Sequence, residues 1–266
     1  MVIKHFKTHG TVMVTVCIFY MKQYLLFFAL LMVQGHIMAQ VTEVTYKRAL
    51  RSADISTEIK NKYGDSGIKL LQEQEKALDQ LKYTLLFNNT EALFFIDAVT
   101  LGLKSEIENN SYWQLVKREK ENKYYYNRPN KQLTYQTLFF GEALNIISSP
   151  NELEWKITTE SKSIGGFLCY RAVLRKGHNL LGFGEESTIE AWFTPQIPVP
   201  YGPKQLEGLP GLIMEAQLAT ATYYVSKINS NTTAKISPLE KRNEITRTQQ
   251  VNALLEFKRD VLNRGK

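Results

Sequence analysis

The amino-acid sequence predicts a mainly β, α+β domain with one helix towards each end. Three observations predict it. From Lys82 to Ile228, short runs rich in aromatic and β-branched residues recur, separated by Asn, Gly, Pro and Ser. That is the pattern of an antiparallel meander, a barrel or a sandwich. Outside this zone, Gly67–Leu81 and Ile245–Leu262 space their apolar residues as a helix does. Lastly, five of the eight prolines crowd into residues 195–210. Proline fixes φ and removes a backbone donor, so this stretch is a stiff crossing between two strands and not a central strand.

The first 39 residues differ from the rest. They carry Lys4, Lys7 and Lys22 but no acid. Two apolar runs, Val12–Met21 and Tyr24–Val33, are split by Lys22-Gln23, and neither reaches the ~18 residues of a membrane-spanning helix. The second has the size of a signal-peptide core, Met21-Lys22 supplies a start and a positive flank, and Ala39 is a small residue for cleavage before Gln40. Residues 1–39 are therefore read as a signal peptide, with Met21 as the true start and residues 1–20 as an over-extended gene start. Residues 40–266 are read as a single β-rich domain, exported to the periplasm or cell envelope without a transmembrane anchor. Cys17 follows Val14-Thr15-Val16 and precedes that start, so it does not mark a lipoprotein.

Cleavage narrows the available chemistry. His5, His9, His36 and Cys17 leave with the leader, so His178 and Cys169 remain. The net charge falls from +7 to +4, because three lysines and no acid are lost. One His and one Cys cannot build a zinc cluster of nitrogen and sulfur ligands, and one Cys cannot close an internal disulfide. No basic run with interleaved aromatics points to nucleic acid. No metal and no cofactor are expected.

Along the chain, Val41–Arg48 alternates as a strand, and residues 51–66 read as loop or irregular helix. Asp65-Ser66 precede the first helix, where Ile68, Leu71, Leu78 and Leu81 mark one face. Ten strand-like runs follow: Tyr83–Phe87, Ala92–Ala98, Tyr112–Lys117, Lys123–Tyr126, Gln132–Phe139, Glu152–Thr159, Gly166–Arg175, Ser187–Thr194, Leu212–Leu218 and Thr222–Asn229. Asn88-Asn89 and Lys176–Asn179 carry hairpin-turn residues. In the last helix Val251, Leu254, Leu255, Val261 and Leu262 form an apolar stripe, with Lys258, Arg259 and Asp260 off it.

The densest signal lies at Ala191-Trp192-Phe193-Thr194-Pro195-Gln196-Ile197-Pro198, Gly202-Pro203 and Gly208-Leu209-Pro210-Gly211-Leu212-Ile213. Leu209–Leu212 fits a type II turn, with Pro210 presetting φ and Gly211 supplying positive φ. The hexapeptide Gly208–Ile213 with this upstream context resembles the hallmark of the GLPGLI family. Trp155-Lys156-Ile157 and the stretch Ile164–Ala172 resemble the same family, with Phe167 and Arg171 replacing Tyr and Lys and one extra glycine before Phe167. The resemblance implies an exported Gram-negative envelope protein of uncharacterised function, with no catalytic residue. The strand order is also similar to the periplasmic lipoprotein-carrier type. That implies a single strongly curved antiparallel sheet, an open half-barrel, with helices over its concave face.

On this reading the protein is a non-catalytic binding or accessory module. A lipid or other apolar small molecule would lie in the curved sheet against Trp155, Phe167, Trp192, Leu212 and Met214. The alternative is an interaction partner of an outer-membrane complex that docks through the proline-rich segment 195–210. Trp113, Trp155 and Trp192 fit a packed core as well as a cavity wall. Cys169 reads as a small buried hydrophobe, and His178 as a turn residue in solvent. Glu190, Glu207 and Glu215 flank the crossing, and two of them would serve a glycosidase only if they faced one cleft.

Overall fold

A computed structural model describes residues 40–50, 81–97, 119–149, 152–176, 188–218 and 221–264, with a few helical positions between 60 and 78. Twelve strands run β1 (Thr42–Leu50), β2 (Lys82–Phe87), β3 (Glu91–Asp97), β4 (Lys123–Asn127), β5 (Gln132–Phe139), β6 (Glu142–Ser148), β7 (Glu154–Ile164), β8 (Phe167–Lys176), β9 (Glu190–Thr194), β10 (Leu212–Gln217), β11 (Ala221–Asn229) and β12 (Asn243–Thr246). A helix, Arg247–Arg264, follows. The expected run Tyr112–Lys117, Trp113, the turn at residues 177–179 with His178, and the leader lie outside the described residues.

All twelve strands form one sheet, in the order β12-β6-β5-β4-β3-β2-β1-β11-β10-β9-β8-β7. Its ladders are antiparallel, except that β12 joins β6 in parallel. The connectivity forces strong curvature. β6 and β7 stand ten strand spacings apart in this order, yet only residues 149–153 join them. Laid flat, ten spacings would measure ~48 Å. The six residue steps from Ser148 to Glu154 reach ~22 Å at most. The sheet therefore curls until its two ends approach. No ladder joins them among the described residues, so it stays an open half-barrel and does not close into a barrel.

Alternation fills the concave side. Val44 and Tyr46 on β1, Ala92, Phe94 and Ile96 on β3, and Tyr124 and Tyr126 on β4 are all buried there. Their rings meet edge-on or stacked, as in Tyr46–Phe94 at 6.0 Å and Tyr124–Tyr135 at 4.6 Å between centroids. On the convex side, residues 230–242 run as a strap from β11 to β12. Thr232 donates to Glu43 at 3.2 Å, and the carbonyl of Glu240 accepts from the amides of Gln136 and Asn145 at 3.2 and 3.0 Å. The strap satisfies polar side chains that the sheet's far edge would otherwise leave buried.

The glycines settle two local questions. Gly165 (φ 58) and Gly166 (φ 85) form the two-residue turn between β7 and β8, since a tight hairpin of this kind needs positive φ at both places. The extra glycine before Phe167 is thus the second turn residue, and Ile164 pairs with Phe167. The expected type II turn at Leu209–Leu212 is corrected. Gly208 (φ 90), and not Gly211, takes the left-handed conformation. Gly211 is needed for space instead, because a Cβ there would sit 2.1 Å from the carbonyl oxygen of Thr194.

This contrast is testable by thermal or urea unfolding. Gly211→Ala drives a methyl into backbone and is expected to cost about 3 kcal/mol. Gly165→Ala meets no atom within 4 Å and carries only the left-handed penalty of about 1 kcal/mol. Equal losses would remove the close approach as the reason for Gly211.

Candidate functional site

The proline-rich crossing does not run along the outside of the sheet. It folds into the hollow. Val199, Tyr201, Leu206 and Leu209 are buried against the concave side, and the ring of Tyr201 meets Phe87 and Tyr126 at 5.9 and 5.1 Å. Prolines supply the stiffness, and the crossing finds partners for its remaining backbone groups. The amide of Gly208 donates to Pro200, that of Leu212 to Ile197 and that of Ile213 to Tyr201, at 3.1, 2.9 and 3.0 Å. The Tyr46 hydroxyl donates to the carbonyl of Ile213 at 2.6 Å, across 167 residues of sequence. The Trp155 indole donates to the carbonyl of Glu207 at 2.9 Å. Among the described residues, one cavity beside the crossing has Leu85, Phe94, Tyr124 and Tyr126 on one side and Tyr201, Lys204 and Glu207 on the other. Its volume is about 20 Å³, the room that one water needs.

Charged groups accompany the crossing inwards. Glu207 is 4 % exposed, and burial pushes its carboxyl up to about 8, with Arg247 pulling downwards and Glu152 upwards. Arg247, the first residue of the helix, is 2 % exposed. It donates to the Ser148 hydroxyl at 2.7 Å and lies 3.9 Å from the Glu152 carboxylate. Glu207, Glu152 and Arg247 thus come from the crossing, the β6–β7 link and the helix start, and they meet where the two ends of the sheet approach. Lys204 has a left-handed backbone (φ 57). Its amine lies 3.4 Å from Glu119 and 5.5 Å from the centre of the Tyr223 ring.

The expected lining residues do not converge on one recess. Trp155 lies at the rim of the concave side, pairing with Leu174. Leu212 and Met214 are fully buried core beneath the crossing. Trp192 alternates with buried Ala191 and Phe193 and so faces the convex side. There the Lys162 amine lies 4.3 Å from the centre of its ring while bonding both oxygens of Glu215. Phe167 alternates in step with Cys169 and Arg171 and shares that side. Glu190 and Glu215 are on the convex side too, Glu190 gripped by the Arg171 guanidinium. Glu207 is inside, so these three acids do not face one cleft. Cys169 is fully buried, and burial raises its thiol pKa.

Arg247 was not foreseen, although a signal was present. Thr246-Arg247-Thr248-Gln249 is a capping box, with the Thr246 amide donating to the Gln249 side chain at 2.8 Å and the Gln249 amide donating back to the Thr246 hydroxyl at 3.2 Å. The box fixes Arg247 in the first turn, where a cation opposes the helix dipole. An arginine there has another purpose, which is to reach inwards.

A family model described as a protein of unknown function (Porph_ging) matches residues 181–215, which include the front of the crossing and its closing turn. No curated protein matches the chain. Among solved structures, two of PNGF-II are similar at 17 % identity, with TM-scores of 0.47 and 0.46. They align with 80 % and 78 % of this chain, which spans about a third of theirs, 33 % and 31 %. A putative outer membrane lipoprotein-sorting protein domain from Vibrio parahaemolyticus aligns with 75 % of this chain and 88 % of its own, at 8 % identity and a TM-score of 0.22. Among the described residues no helix is long and apolar enough to cross a membrane.

The raised Glu207 carboxyl sets a pH dependence. In the unfolded chain this acid loses its proton near 4.5, and in the fold near 8. Its contribution to stability is complete below about 4.5 and is lost as pH rises towards 8. Glu207→Gln imitates the protonated acid and removes that loss. Urea titrations are expected to find the two proteins close at about pH 4.5, and the wild type falling behind by a few kcal/mol towards pH 8 and above. Parallel profiles would mean that the carboxyl stays hydrated.

Proposed function

We propose that this domain is a non-catalytic module of the cell envelope that acts through its surface and not through an interior ligand. The filling of the hollow by the domain's own crossing carries this reading. An apolar ligand on the concave side would have to expel Tyr201, Leu206 and Leu209. It would also have to break the Trp155–Glu207 and Ile213–Tyr201 hydrogen bonds. A buried donor left unpaired costs ~1–3 kcal/mol each time, and the ligand would have to supply that in addition to its own ordering.

The same packing limits docking through segment 195–210. Pro195, Gln196, Pro198, Gly208 and Pro210 remain at the surface, while the residues between them are largely internal. Export rests on the leader expected at residues 1–39. The lack of catalysis rests on the scattering of the three acids over two sides of the sheet and on a thiol held inert by burial.

Organic extraction of the purified protein followed by mass spectrometry tests the reading. No apolar molecule is expected to be recovered in proportion to the protein. One apolar molecule per chain would overturn it and restore a carrier role.

A further inference from the structure

On the convex side, away from the filled hollow, lies another cavity, of about 310 Å³, walled by Glu43, Thr45, Lys82, Ser226, Lys227 and Asn229. Pockets for small molecules begin at roughly 300 Å³. Every one of these side chains is polar, so the occupant that suits them is polar too. Alternation accounts for most of the wall. Val44 and Tyr46 fill the concave side, which turns Glu43 and Thr45 outwards. The β1–β11 ladder then sets Asn229 opposite Glu43 and Lys227 opposite Thr45. Ser226 needs another cause, because an unbroken strand would send it and Lys227 to opposite faces. The register slips here: Thr45 pairs with Lys227, but Tyr46 pairs with Val225. Ser226 is the extra residue of a bulge, the device that re-aims a side chain beside a site, and it lines the cavity together with Lys227.

We propose that this pocket binds a small polyhydroxylated carboxylate, with its anionic end on Lys227 and Asn229 and its hydroxyls on Ser226 and Glu43. Charge selects the anionic end. The Lys82 amine lies 2.9 Å from one Glu43 oxygen and 3.8 Å from Asp97, and the Thr232 hydroxyl donates to the other Glu43 oxygen at 3.2 Å. Lys82 and Glu43 are thereby held in place and offset each other. Lys227 takes part in neither ion pair, so its amine leaves the wall with one net positive charge. Asn229 adds donors, because its side-chain oxygen accepts from the Asn231 amide at 3.1 Å and its NH2 group is left to donate. Two residues apart on β11, Lys227 and Asn229 share one face and together suit a carboxylate. Acceptors select the hydroxyls. Ser226 spends its proton on the Thr45 carbonyl at 3.1 Å, so its oxygen keeps lone pairs for an incoming O–H, and the Glu43 carboxylate can only accept.

The test is an NMR titration of the exported protein, with its N-terminus verified, against D-gluconate. D-sorbitol has the same chain of hydroxyls without the charge, and acetate has the charge without the hydroxyls. Gluconate is expected to shift the amides of residues 43–45 and 226–229 and to saturate, with sorbitol and acetate each about tenfold weaker. Lys227→Gln is expected to weaken gluconate about tenfold. Lys156→Gln makes the same charge change at an exposed position of β7 outside the pocket and is expected to leave the affinity alone. Both exchanged positions are exposed, and circular dichroism verifies the fold. The proposal is overturned if gluconate shifts nothing or shifts amides elsewhere, or if sorbitol or acetate binds as well as gluconate. It is also overturned if the two lysine variants behave alike, which would reduce binding to the overall charge. The pocket stands outside the hollow, so its failure leaves the filled interior untouched, and an apolar molecule recovered from the purified protein would sink the surface reading without deciding the titration.

Discussion

The insertion of the proline-rich crossing between the ends of a curled sheet is the constraint on which the rest depends. A link of five residues between β6 and β7 brings those ends together and creates a hollow that the chain must fill. An unfilled hollow of this kind would forfeit dispersion contacts along its whole wall. The crossing fills it with Val199, Tyr201, Leu206 and Leu209 and loses little entropy in doing so, because its prolines restrict the unfolded chain as well. Gly211 allows the closing turn to lie on Thr194.

The same insertion explains the charges inside. A segment that enters a hollow brings its polar side chains with it, and Glu207 is the deepest of them. Its carboxyl stays protonated to about 8 because burial outweighs the pull of Arg247. Arg247 in turn is held by Ser148 and Glu152, so helix, link and crossing form one polar seam. Such a seam fixes which elements meet more than it adds net stability. A second polar cluster, Lys162–Glu215 over Trp192, lies on the convex side of β7, β9 and β10.

Much of the architecture was legible in the sequence. The strand zone, the helix at each end and the stiff crossing follow from periodicity and proline placement, and the curved open sheet follows from the similarity of strand order to the lipoprotein-carrier type. β6 was not foreseen, because Leu144, Ile146 and Ile147 are interrupted by Asn145, whose partner is the distant carbonyl of Glu240. β12 is four residues long and exists only through its parallel pairing with β6. The site was less legible. Alternation alone places Trp192 and Phe193 on opposite sides but does not say which side is concave. Pro195–Pro210 reads as rigid from composition, but only the three-dimensional path shows that it turns inwards. Glu207 looks like any surface acid until Trp155 is found on its carbonyl.

Native-state hydrogen exchange of the crossing tests the filled hollow most directly. The amides of Gly208, Leu212 and Ile213, bonded to Pro200, Ile197 and Tyr201, belong to the core if the crossing is part of it. They are then expected to exchange only through global unfolding, with the same opening free energy as the buried strands β1 and β2. Exchange of these three amides through a separate, lower-energy opening, while β1 stays protected, would show a removable lid over a real cavity and contradict the filled interior.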